Sequence, residues 1–101
     1  MSPGSWVVVF VSRRSGSDAE GYGAMAERME QLARAQPGFI GMHSVRGEDG
    51  VGITVCYWQS AEAIAAWKRD VEHAAAQQRG RERWYESYEV TVARVERQYG
   101  A

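Results

Sequence analysis

Tyr57-Trp58-Gln59-Ser60-Ala61-Glu62-Ala63-Ile64-Ala65-Ala66-Trp67-Lys68 carries the chain out of a strand and into a helix, and the rest of the fold is read outward from it. On the strand side, Val51, Ile53, Val55 and Tyr57 share one face, and Gly52, Thr54, Cys56 and Trp58 share the other. On the helix side, Ser60 can accept the first free backbone N–H groups, and Glu62 complements the dipole of the first turn. The spacing predicts a short helix through Lys68 and then a second one, capped by Asp70, from Val71 to about Arg83. From Trp84 the chain turns extended: Tyr88, Val90 and Val92 alternate, and Val95 breaks the phase, which a bulge near Ala93 would explain.

Upstream, Phe39 to Arg46 reads as the partner strand of Val51 to Trp58, with Gly47-Glu48-Asp49-Gly50 as the hairpin loop. Before it, Tyr22, Met25, Met29, Leu32 and Gln36 recur at steps of three and four. They define an amphipathic helix of about five turns, capped by Ser17 or Asp18 and ended by Pro37-Gly38. The chain opens with Trp6-Val7-Val8-Val9-Phe10-Val11, which is apolar at both parities. Such a strand is buried on both faces and belongs in the middle of a sheet.

The order is β-α-β-β-α-β, the ferredoxin-like arrangement of one four-stranded antiparallel sheet with helices on one face. Helices on one side leave the other side of an all-apolar strand uncovered, so a second copy is expected to cover it, giving a homodimeric α/β barrel. An interface of roughly 800 Å² per partner is the standard size, and the monomer is not expected to be stable by itself. The 101 residues suit one domain, with its core over about 6–97.

Composition excludes more than it assigns. A formal net charge of −1, with the basic residues interleaved with acids as in Arg79 to Arg83, argues against nucleic-acid binding. The single cysteine, Cys56, cannot form an internal disulfide, and no C-x-x-C or H-E-x-x-H spacing suggests a metal. No apolar run is long enough to span a membrane, and no leader pattern is evident, so a cytoplasmic protein is the expectation. Gly50-x-Gly52 and Gly21-x-Gly23 lack the strand-loop-helix context of a phosphate cradle.

The second half of the chain resembles the antibiotic biosynthesis monooxygenase (ABM) family. The resemblance is carried by Tyr57-Trp58-x-Ser60-x-Glu62-Ala63-Ile64-x-Ala66-Trp67-Lys68, continued by Glu72-His73, Ala76-Gln77, Gly80-Arg81, Trp84-Tyr85 and Tyr88. Pro37-Gly38-Phe39 and Val92-x-Arg94-Val95-Glu96-Arg97 fit the same pattern, which covers the chain from about Trp6 to Arg97. The resemblance implies a dimeric α/β barrel with a pocket between sheet and helices in each protomer. Its activities include cofactor-free oxygenation of aromatic phenols, haem degradation and isomerisation of a signal molecule, so the fold leaves the reaction open.

The resemblance implies pocket roles for Trp67 and His73, as catalytic residues acting on a small aromatic substrate with no cofactor and no metal. On the expected helix, His73 is the third residue after the Asp70 cap, where the dipole favours a neutral ring able to accept a phenol proton. The plainer alternative is a His73 that caps backbone groups or sits half exposed. His73, Gln77, Arg81 and Trp84 fall on one helical stripe that can hold the polar end of a ligand, or can simply be solvated. Tyr22, Met25 and Met29 suit either an adaptable wall for the substrate or ordinary core. His43 suits a sheet interface, sharing its face with Phe39, Gly41 and Val45, and Cys56 suits a buried inert thiol. Haem-degrading relatives place an Asn on the first strand, and Trp6 to Val11 holds none; their axial-ligand position falls near Ala76-Gln77 rather than on His73. A non-catalytic dimer binding a small hydrophobic molecule is the remaining reading.

Overall fold

Strand β1 (Trp6–Arg14) takes the middle of the sheet, as its apolar run at both parities requires. The computed structural model describes residues 4–14, 19–77 and 85–100. After β1 come α1 (Ala19–Arg34), β2 (Phe39–Arg46), β3 (Val51–Trp58), α2 (Ala61–Gln77) and β4 (Tyr85–Arg94). The sheet order is β2-β3-β1-β4 with every neighbouring pair antiparallel, which is the ferredoxin-like topology.

The local signals act where the sequence places them. Ser60 Oγ accepts the Ala63 N–H at 3.1 Å and caps α2. The β2–β3 loop closes through Gly47 N–H to the Val51 carbonyl at 2.8 Å and Gly50 N–H to the Gly47 carbonyl at 3.1 Å. Gly50 there has φ +87°, and the Asp49 carboxylate takes the Val51 N–H at 3.0 Å. Beyond α1, Gly38 has φ +93°, and its carbonyl accepts the Gln59 N–H at 2.8 Å. An added Cβ there would stand 3.0 Å from the Ala63 side chain, so this glycine both ends the α1 connection and lets α2 come close. The Ser17 or Asp18 cap lies outside the described residues.

Three sequence expectations are corrected. First, α2 is one helix from Ala61 to Gln77, not two. No proline or glycine interrupts it, and Asp70 caps nothing: its carboxylate accepts a hydrogen bond from Gln36 Nε2 beyond the end of α1. Lys68 and Glu72 pair at 3.2 Å across the expected break. Second, the β1–β4 register is unbroken from Trp6↔Arg94 to Arg13↔Ser87, so there is no bulge at Ala93. The irregularity lies at the other end, between Arg13 and Arg14. Val95 continues the pairing just past β4, with Gly4 N–H to the Val95 carbonyl at 3.0 Å and Val95 N–H to the Ser5 carbonyl at 2.8 Å. Val95 therefore faces the side opposite Val90 and Val92, which accounts for its phase. Third, Phe39 does not share a face with His43. The β2–β3 register shifts between Phe39 and Gly41, and the extra residue turns Phe39 toward the helices.

The core lies between the helices and the β2-β3-β1 part of the sheet. Val8, Cys56 and Trp58 from the strands meet Ala33 of α1 and Ala63 of α2, with Trp6, Phe39, Met42, Ile64 and Trp67 packed around them. Trp58 is fully buried, edge-on to Phe39 at 5.3 Å between ring centres and tilted against Trp67 at 5.2 Å. The other face carries Val7, Val9, Val11, Val51, Ile53, Val55, Tyr57, His43 and Val45, and among the described residues no helix lies over it. Val45 is 70% exposed and Ile53 42% exposed on that open face.

Candidate functional site

The helix-facing side of the sheet is built as four cross-strand rows, read directly from the registers. Phe39, Trp58, Trp6 and Arg94 form the first row, and Met42, Cys56, Val8 and Val92 the second. Ser44, Thr54, Phe10 and Val90 form the third, and Arg46, Gly52, Ser12 and Tyr88 the fourth. The surface therefore runs from large rings at one end to hydroxyls and a guanidinium at the other. Core packing consumes the β2–β3 side of the first two rows. The β4 side is about half exposed: Tyr88, Val90 and Val92 are 64%, 52% and 47% exposed on the face that is elsewhere core. Phe10 lies beside this strip with its ring 5.6 Å from that of Tyr88.

Trp67 and Met29 are brought together across the two helices. The Trp67 indole N–H donates to the Met29 carbonyl at 3.1 Å and ties α2 to α1. Its ring face leans on Trp58, so the polar atom of Trp67 is committed and only its ring remains to meet a ligand. His73 is exposed in the last turns of α2. By helical rotation it falls with Ala66 on the side away from Ile64 and Val71. Because α2 starts at Ala61 rather than Asp70, His73 lies in the C-terminal half of that helix and not in the first turn that the sequence suggests. Trp84 and Arg81 lie outside the described residues, as do the side chains of Tyr22, Met25 and Gln77.

Cys56 is buried under the helices and takes the Trp58 indole N–H on its sulfur at 3.2 Å. Burial pushes its thiol pKa up, and the Trp58 N–H offsets part of that rise. A thiol so placed is a poor nucleophile. Among the described residues no three of His, Cys, Asp and Glu gather as a metal site would need, and no helix is long and apolar enough to cross a membrane. A shallow groove of about 420 Å³ runs between Val7, Tyr57 and the tail from Arg94 to Gln98. It lies toward the open face, away from the helix-facing rows, and its lining includes none of the candidate site residues.

Residues 6–79 match the family model described as antibiotic biosynthesis monooxygenase. The chain belongs to this family. A curated relative, the uncharacterized protein YqjZ of Bacillus subtilis (strain 168), is 54% identical over 96 residues, covering 95% of this chain and 83% of that protein. Among solved structures, a point mutant of SnoaB, a cofactor-independent oxygenase from Streptomyces nogalater, superposes with a TM-score of 0.74. It is 16% identical, with 94% of this chain and 96% of that one covered. A point mutant of MhuD, with two manganese protoporphyrin IX bound per active site, gives a TM-score of 0.71 at 17% identity, covering 95% of this chain and 99% of that one. At such identities the likeness shows the fold alone.

The sequence reading missed Phe10, Ser12, Arg46 and Gly52 as a group. The alternation of Tyr88, Val90 and Val92 is visible in the sequence, but not that this face of β4 joins the helix side and is about half exposed there. The signal that could have found them is the hairpin register, which sets Arg46 opposite a glycine on the helix-facing parity.

Proposed function

We propose that this protein is a cofactor-independent monooxygenase that acts on a small phenol or hydroquinone-like aromatic, working as a homodimer in the cytoplasm. The observation that carries the reading is the exposed apolar strip of Tyr88, Val90 and Val92 beside Phe10, a flat seat for an aromatic ring on the helix-facing side. Membership of the family and a fold shared with a cofactor-independent oxygenase support it. In this proposal Trp67, Trp84, Tyr22, Met25 and Met29 wall the seat, Gln77 holds the polar end, and His73 takes the substrate proton at the mouth. The deprotonated substrate then reduces oxygen itself: a ring CH₂ and O₂ become a ring C=O and water. The second copy covers the open face that carries Val45 and Ile53.

The test is oxygen uptake by metal-stripped protein with hydroxyanthrone-like phenols, followed beside the quinone absorbance. Uptake above buffer is expected, with His73→Ala slower by about 10²-fold or more. No uptake across the panel refutes the oxygenase reading, and an unchanged rate in His73→Ala refutes the role of that residue. One observation favours binding without turnover. His73 is exposed on α2, and the titratable groups among the described residues of the helix-facing rows are Tyr88, the buried Cys56 and two arginines. A ligand that binds the strip unchanged would decide for that reading. A haem titration with no Soret shift would separate both from a haem-handling role.

A further inference from the structure

We propose that Arg46, laid across Gly52 and held by Ser12, selects aromatic ligands that carry a carboxylate; the proposal rests on the helix-facing strip being the ligand seat. Arg46 ends β2 and could extend into water, as arginines on hairpins commonly do. Instead its guanidinium folds over the sheet. Nη1 donates to the Gly50 carbonyl, and Nη2 donates to Ser12 Oγ at 3.3 Å, one strand beyond β3. A Cβ at position 52 would stand 2.5 Å from Nη2, 2.6 Å from Cζ and 3.0 Å from Nη1, so the guanidinium occupies the space that the missing side chain leaves. Ser12 is only 3% exposed, which places the charged end on the floor rather than at its edge.

The neighbours supply the rest of the geometry. Ser12 faces Tyr88 across the β1–β4 pair, one strand spacing of about 5 Å away. Phe10 and its row partner Val90 lie two residues along, about 7 Å from that row. In the same third row Ser44 Oγ and Thr54 Oγ1 share a hydrogen bond at 2.8 Å, so the polarity continues toward β2. A ring on Phe10, Val90 and Val92 thus has a guanidinium one row away, in a half-buried setting where charge-assisted pairing to a carboxylate is stronger than in water. The planar fork of arginine suits a carboxylate, with its two oxygens. The ligand class is a bicyclic or larger hydroxyaromatic acid.

The experiment is calorimetric titration under argon of 1-hydroxy-2-naphthoic acid and of 1-naphthol, two probes that differ by the carboxylate. Wild type is expected to bind the acid at least about tenfold tighter than the naphthol. Arg46→Gln is expected to lose that preference while its affinity for the naphthol moves less than about threefold. Gly52→Ala keeps the arginine and displaces its guanidinium, and is expected to lose the same preference. Equal affinity of wild type for the two probes, binding of neither, or a preference that survives in both variants would overturn the assignment. Oxygen uptake is recorded separately. Selective binding of the acid without uptake sustains Arg46 as the selector and removes the oxygenase reading; uptake with no preference for the acid sustains the oxygenase and overturns the selector.

Discussion

Replacing Trp67 by Phe separates a structural tie from a group that acts on substrate. The indole N–H donates to the Met29 carbonyl at 3.1 Å, and the ring leans on Trp58 at 5.2 Å. Phe keeps a ring against Trp58 and removes the donor. Met29 lies inside α1, where its carbonyl also has the helical i+4 N–H as a partner position, so it is not orphaned. The lost hydrogen bond is then worth about 1 kcal/mol. The smaller ring gives up roughly 40 Å² of buried apolar area, about another 1 kcal/mol. The expected cost of Trp67→Phe is about 2 kcal/mol, and that of Trp67→Ala, which also empties the space beside Trp58, about 3–5 kcal/mol. Urea unfolding at one fixed protein concentration reads both, because a dimer's midpoint moves with concentration. With the N–H committed to Met29, Trp67→Phe is expected to keep oxygen uptake within a few-fold of wild type. A Trp67→Phe protein as stable as wild type yet inactive would refute the reasoning, since the donor would then be serving the substrate.

Two further outcomes follow from the burial pattern. Burial holds the Cys56 thiol above its ordinary pKa of 9.0, so below pH 9.0 both folded and unfolded chains keep the proton. As pH rises through 9.0 toward the raised folded value, the unfolded chain ionises first and stability falls; Cys56→Ser should flatten that slope in unfolding curves from about pH 8 to about pH 10.5. On the open face, Ile53→Asp or Val45→Asp puts a carboxylate into the proposed dimer contact and is expected to shift sedimentation from two copies toward one, with loss of stability. A wild-type chain that sediments as a stable single copy would contradict the covering of that face.

Much of the fold is legible because its determinants are local. The β2–β3 hairpin is written in Gly47 to Gly50, the start of α2 in Ser60, and the end of the α1 connection in Pro37-Gly38. The central place of β1 follows from its apolar residues at both parities. What was misread depends on partners far along the chain. Asp70 looks like a helix cap until its bond to Gln36, thirty-four residues away, is seen. Val95 looks out of phase until its pairing with Ser5 shows which face it belongs to. Phe39 changes sides because one residue of β2 slips against β3. The site is less legible still. Val90 and Val92 read as an ordinary alternating strand, and only the sheet order and register show that they line the helix-facing side, where each is about half exposed.

The central claim is that the ligand sits on the helix-facing strip and the second copy on the opposite face. Methyl chemical shifts of the valines and isoleucines, followed while 1-naphthol is added, test it most directly. The account predicts that Val90 and Val92 shift with saturation while Val45 and Ile53 stay where they are. Shifts confined to Val45 and Ile53, or none at Val90 and Val92, would contradict it.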